Sequence, residues 1–436
     1  MGFLEAFSIG VGGMVGGGIF AVLGLTIDLS RGGAPVAFII AGILALVTAY
    51  SYVKLSLRYP SEGGTIEFIV QAFGNRLFSS IINNLLLISY VIMLALYAYA
   101  FGSYGAVLSG HSSLWVHKVL SSGIILFFVF INILGALLTG RAEDVMVFIK
   151  IIILLVFAGA GLLSVDWTHM APHNWMPLPS VAAGGFMIFL AYEGFELIAN
   201  TARDVRDPQI NLPRAYYASV IFVILLYIVI SAVAVGNLSF AEAKSAQDYV
   251  LAKAAEPFFG QAGFVFISIA ALLSTASAIN ATIYGSGRIS YIVAKLGELP
   301  AEFETKIKHG YEGMVIIGIL AVIFTTLFNL DNISVAGSMG FLIVFGLVNL
   351  ANFRLYKQTG SNRFVPLTGA LFCTGAAITL ITYTAKNSPD SLGSSLVVLF
   401  GVLIFSYLYN HLKGKKLSAY IDKELEREER FLKKLL

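Results

Sequence analysis

The stretch Gly10-Val-Gly-Gly-Met-Val-Gly-Gly-Gly-Ile-Phe20 decides how the rest of the chain is read. It lies inside an apolar run, yet five of the seven residues from Gly12 to Gly18 are glycine. Glycine in a helix interior costs about 1 kcal/mol relative to alanine, so the cluster predicts a helix that breaks partway along. Within a membrane, such a break strands backbone NH and carbonyl groups where no water reaches them. That is tolerated only where the backbone is buried in protein or lines a cavity. The stretch is therefore read as one half of a ligand site.

Composition supplies the membrane. The 436 residues are 58% hydrophobic and 12% charged, with a mean hydropathy of +0.84. That charged fraction is about half that of a soluble domain, which excludes a soluble globular class. The single cysteine, Cys373, excludes a disulfide framework or a cysteine metal site within the chain. No cofactor or metal is implied. The first apolar segment lacks a basic leader and is followed by many more, the pattern of a retained span rather than a cleaved signal.

Apolar runs of about 20 residues predict twelve spans, near 3–28, 34–57, 78–108, 115–138, 143–164, 181–201, 212–237, 257–292, 312–331, 333–356, 365–386 and 391–412. Lys54, Arg58, Glu62, Glu67 and Arg76 mark a polar connection between spans two and three, with a short amphipathic helix. The segment 239–256 reads as a surface helix on the opposite side, and residues 413–436 as a charged cytoplasmic tail. Fourteen Lys and Arg lie in loops after even-numbered spans against five after odd-numbered ones, before that tail is counted. This asymmetry places both termini in the cytoplasm.

Span six carries the second interruption, Phe186-Met-Ile-Phe-Leu-Ala-Tyr-Glu-Gly-Phe-Glu-Leu-Ile-Ala199. Gly194 sits between Glu193 and Glu196, and carboxylates at that depth face a cavity or a partner. Spans one and six each open a group of five. Broken helices at corresponding places in two halves point to a transporter site between inverted repeats. Lys150 interrupts the apolar run Val145–Val156 about 10 Å inside span five. Desolvation disfavours the charged form of a buried amine, which suits it to proton exchange.

Three motifs carry a family resemblance. Gly16-Gly-Gly-Ile-Phe20 resembles the glycine–small–glycine–Ile–Phe motif in the first helix of the amino acid–polyamine–organocation superfamily. Phe189-Leu-Ala-Tyr-Glu-Gly-Phe-Glu196, continuing through Ala202-Arg-Asp-Val-Arg-Asp-Pro-Gln-Ile-Asn-Leu-Pro-Arg214, is similar to its sixth helix and following loop. Ser274 to Gly285 and Ala294-Lys-Leu-Gly-Glu-Leu-Pro300 resemble its eighth helix and the loop after it. Within the superfamily the chain is similar to the prokaryotic proton-coupled, broad-specificity amino acid transporters.

The resemblance implies an all-α integral membrane protein of the leucine-transporter-type fold, with two inverted five-helix repeats and two peripheral helices. Residues 1–165 would form the first repeat and 166–331 the second. Residues 332–412 would hold the remainder of span ten and the peripheral helices. The function implied is import of amino acids, broad and mainly neutral, by proton symport with alternating access at the cell membrane. An exchanger is the alternative within transporters, and a transport-inactive amino acid sensor the alternative from another class. The implied partners are an amino acid, a proton and the lipid bilayer, with no nucleic acid and a monomer or weak homodimer. An enzyme is not expected, because His169 and His173 straddle Pro172 in a loop and no nucleophile motif or acidic metal cluster accompanies them.

The same resemblance assigns roles. The substrate carboxylate would meet NH groups at Gly16, Gly17, Gly18 and Ile19, and its ammonium the carbonyls of Leu190, Ala191 and Glu193. An amino acid zwitterion suits such helix ends, where a positive dipole and free NH groups face free carbonyls. Gly17 stands where many relatives carry a hydroxyl, which implies a roomier or more flexible pocket with backbone recognition retained. Lys150 would occupy the place of a sodium ion, facing Gly12 and the hydroxyl of Ser274 and so bridging spans one, five and eight. Glu196 and Phe189 are assigned gating or structural roles. Phe189 precedes Leu190, the usual aromatic gate position, and one residue turns a helix by about 100°. Asn83, Asn84, Ser89 and Tyr90 of span three are further candidates for the site.

Overall fold

A computed structural model of the chain describes the backbone of residues 1–111, 113–135, 140–308 and 310–413. It is a helical bundle. The helices are α1 (Phe3–Met14), α2 (Gly18–Ser30), α3 (Ala34–Arg58), α4 (Thr65–Phe73), α5 (Leu77–Leu108), α6 (Leu114–Leu134), α7 (Gly140–Leu162) and α8 (Leu178–Met187). A 3-10 helix (Phe189–Asp204) follows α8. Then come α9 (Pro208–Asn237), α10 (Phe240–Ser245), α11 (Val250–Lys295), α12 (Glu312–Leu327), α13 (Leu330–Arg354), α14 (Tyr356–Thr359), α15 (Phe364–Asn387) and α16 (Pro389–Lys413). A small antiparallel pair, Lys306–Ile307 with Gly310–Tyr311, precedes α12.

Local chemistry sets many of the ends. The Ser113 hydroxyl accepts from the Val116 NH to start α6, and Gly135, at φ 78°, ends it in the left-handed region that glycine enters without penalty. Asn329 caps α13 by accepting from the Asn332 NH at 2.9 Å. Pro257 and Gly260, the latter at φ 64°, kink α11 near its start.

Among the described residues, ten helical segments are long and apolar enough to cross a bilayer, and α1 with α2 form a further span bent by 46°. The twelve-span expectation meets a shorter element at 312–331, since α12 has 16 residues and ends at Leu327. The expected boundary at 331 falls at the start of α13, which begins at Leu330. Burial separates the centre from the periphery. In the apolar window of α5 83% of residues are buried, against 28% for α15 and 17% for α16. Apolar side chains facing outward on α16, such as Phe400 and Ile404, suit contact with lipid tails.

The amphipathic helix between spans two and three is α4, whose Ile66, Phe68 and Ile69 are buried. The segment 239–256 departs from a surface helix. It contains short α10, started by a Ser239–Glu242 capping box, and then the start of α11, where Val250, Leu251, Ala252, Ala254 and Ala255 are buried. The expected charged tail lies, from residue 414 on, outside the described residues.

Candidate functional site

The first span breaks where the glycines predict. Helix α1 ends at Met14 and α2 starts at Gly18, leaving Val15, Gly16 and Gly17 between them. Hydroxyls from other helices satisfy the carbonyls freed by the break. Tyr227 on α9 donates to the Met14 carbonyl at 2.6 Å. Ser274 on α11 donates to the carbonyls of Val15 and Gly16. These buried side chains supply what water cannot at this depth.

The break in span six falls at Ile188, between α8 and the 3-10 helix, and not at Gly194. Ser338 on α13 holds it. Its hydroxyl donates to the Met187 carbonyl at 2.5 Å and accepts from the Leu190 NH at 3.4 Å. The 3-10 helix beyond runs for 16 residues, where stretches longer than three or four are uncommon. Gly194 has a different use, because its backbone lies directly against Gly13 and Met14 of α1.

A cavity of about 360 Å³ opens beside these breaks, between α1, the 3-10 helix, α7 and α11. Its inner wall holds Gly13, Tyr90, Tyr97, Lys150, Glu193 and Ser277, and its other end Met1, Glu5 and Ile289. Glu5 is exposed, whereas every residue of α2 from Gly18 to Ile27 is buried. Access therefore runs along the first half of span one, and the second half is sealed. In the last turn of α2, Asp28 pairs with Lys244 of α10 at 3.2 Å.

Of the residues expected at a site, Gly12, Lys150 and Glu193 line this cavity. Gly16, Gly17, Gly18, Ile19, Leu190 and Ala191 are buried away from it. A Cβ added at Gly18 would lie 3.0 Å from Ala191 Cα, so the two broken spans touch there. The roomier pocket implied by Gly17 is not found. The Tyr97 ring of α5 fills that space, and a Cβ at Gly17 would overlap it.

Lys150 is 6% exposed and donates from Nζ to the Ser277 hydroxyl at 3.2 Å. Its expected partner, Ser274, lies one turn away on α11 and bonds the span-one break instead. The approach to Gly12 is present through Val147 of α7, whose Cγ2 would be 2.7 Å from a Cβ at Gly12. Phe189 is fully buried edge-on to Phe345 of α13, with ring centres 5.8 Å apart, so it does not cover the cavity.

Glu196 is fully buried, accepting from the Tyr90 hydroxyl on one oxygen and from Thr65 at 2.6 Å on the other. Tyr52 of α3 bonds Thr65 in turn at 2.8 Å, so Glu196 joins α3, α4, α5 and span six. Of the span-three candidates, Tyr90 lines the cavity. Asn83 bonds Glu298 at 2.9 Å, Asn84 bonds Ser406 at 2.9 Å, and Ser89 bonds its own helix. Sequence reasoning missed Tyr97, Tyr227, Ser277 and Ser338. Their one signal was a hydroxyl within an apolar span, which many residues share.

Comparison with known proteins is decisive for the family. The sequence model of the amino acid permease family matches residues 1–408. The chain belongs to that family. It is an amino acid transporter of the amino acid–polyamine–organocation superfamily and a multi-pass membrane protein. The permease is 34% identical to the inner membrane transport protein YbaT of Escherichia coli over 94% of this chain and 95% of that one. It is 25% identical to the branched-chain amino acid permease BcaP of Bacillus subtilis over 95% and 94%. Among solved structures it resembles a point mutant of the manganese transporter of Eremococcus coleocola. The TM-score is 0.61, with 13% identity over 93% of each chain, a likeness of fold. The fold is that of leucine-transporter-type proteins.

Proposed function

We propose that the permease imports a broad range of amino acids by proton symport, with Lys150 as the proton carrier. The observation that carries this reading is the setting of Lys150. A lysine buried deep in α7 shares a cavity wall with Gly12 of α1 and donates to Ser277 of α11. It thus ties span five to span eight beside the half of span one that lines the access path. Protonated, the ammonium sustains that contact and helps hold α1; deprotonated, it donates more weakly and lets α1 swing. A proton entering down a membrane potential contributes about 2.3 kcal/mol per 100 mV, enough to drive a modest substrate gradient.

In this reading α12 completes twelve spans and both termini are cytoplasmic. The second repeat closes with α13 at Arg354, and the cavity beside α1 is the inward-facing vestibule. The close packing of Gly18 on Ala191 is then the substrate site in its collapsed, inward-open form. The α2 NH groups would take the substrate carboxylate when the broken spans part. The test is uptake of labelled alanine into proteoliposomes with and without an imposed pH gradient. Gradient-driven accumulation in wild type, lost in Lys150→Ala with binding retained, is the expected result. Accumulation indifferent to the gradient, with stimulation by internal amino acid, would replace symport by exchange. Binding without any uptake would indicate a sensor.

A further inference from the structure

Glu193 takes part in none of the contacts described above. Its side chain is 5% exposed and stands on the inner cavity wall. Its Oε2 is buried without a hydrogen-bond partner among the described residues. Glu196, three residues on, gives the contrast, since both of its oxygens accept hydroxyl hydrogen bonds. A carboxylate removed from water persists at such depth when something cationic or hydrogen-bonding completes it. For Glu193, whose side chain lines the cavity, the cavity is the side from which a partner can approach.

The geometry also says which part of a substrate would arrive. Ala191 is the residue that meets Gly18 at the start of α2, where free NH groups suit a carboxylate. In a 3-10 helix, with three residues per turn and a rise of about 2 Å, Glu193 points about 120° away from Ala191 around the axis and lies about 4 Å further along. An α-ammonium stays beside its α-carboxylate, on the Ala191 side of the segment. A terminal amine on a flexible four-carbon stem extends further, toward Glu193. Tyr90 and Tyr97 line the same end of the cavity, and aromatic faces attract a desolvated cation.

We propose that Glu193 is a specificity-determining residue that binds the distal ammonium of amino acids with a cationic side chain, of the lysine and ornithine class. This rests on the amino acid transport reading and extends its range beyond neutral substrates.

The test compares lysine and ornithine with norleucine, an uncharged amino acid of lysine's chain length. Each is titrated against labelled alanine uptake, and against the thermal stability of the detergent-solubilised protein. Wild type is expected to respond to lysine and ornithine at concentrations about tenfold below norleucine, the scale of a charge-assisted contact. The ratio within each variant is the readout, so absolute activity does not enter. Glu193→Gln is expected to bring the ratio to near one, and Glu193→Asp to leave it intermediate. A wild-type ratio near one, or an undiminished ratio in Glu193→Gln, overturns the proposal. If Glu193→Gln does not fold, the wild-type and Glu193→Asp ratios decide in the same way. Alanine uptake without charge preference overturns this inference alone. No response of wild type to any amino acid overturns it together with the transport reading.

Discussion

Gly13 and Gly194, one from each broken span, meet backbone to backbone. A Cβ on Gly194 would overlap the Gly13 carbonyl carbon and the Met14 amide nitrogen, and one on Gly13 would lie 2.7 Å from the Gly194 carbonyl oxygen. The obstructing atoms are main chain, which cannot rotate aside. Gly194→Ala is therefore expected to destabilise the permease by about 1–3 kcal/mol, the usual cost of overpacking. Thermal unfolding in detergent measures it, and an unchanged midpoint would refute the contact.

Gly17 and Tyr97 form a second steric pair. Restoring the hydroxyl common among relatives, as Gly17→Ser, is expected to impair stability, because the Tyr97 ring holds that space. Tyr97→Ala should relieve part of the loss. A double-mutant cycle is expected to show coupling of about 0.5–3 kcal/mol. Additive effects would place the two residues apart.

Two serines one turn apart on α11 should separate by phenotype. Ser274 satisfies carbonyls at the span-one break, and Ser277 receives the Lys150 ammonium. Ser274→Ala is expected to lower stability by about 1–3 kcal/mol through unsatisfied buried acceptors. Ser277→Ala is expected to weaken accumulation driven by a pH gradient beyond what its loss of stability accounts for. The reverse pattern would reassign the pair.

Tyr227→Phe removes the donor to the Met14 carbonyl and retains the ring. A buried acceptor left alone costs about 1–3 kcal/mol. Faster hydrogen exchange at Val15 to Gly18 is the local signature expected. Protection equal to wild type there would mean that the break needs no side-chain support.

Much of the frame was legible because lipid and glycine leave strong marks in a sequence. Apolar length located the spans, and the glycine cluster located the first break to within a residue or two. The second break falls within the stretch Phe186–Ala199 that the sequence marks, but its exact position is not legible, because Gly194 suits either interruption or close approach. The actual break at Ile188 is held by Ser338, which is distant in sequence. Lys150 was recognised by depth, but its partner was read one turn away, since the rotation of α11 about its axis is set by packing. The segment 239–256 was misread because charges at Glu242, Lys244 and Asp248 mask the buried apolar face that follows. The tight contact of Gly18 with Ala191 depends on how the two spans dock, which no composition or spacing encodes.

The 3-10 segment Phe189–Asp204 also stores length. Its 16 residues rise about 2.0 Å each, against 1.5 Å in an α-helix, so winding it into α form would shorten it by about 8 Å. With Met187 and Leu190 anchored through Ser338, that retraction would draw on the far end, the turn at Val205 to Asp207 that leads into α9.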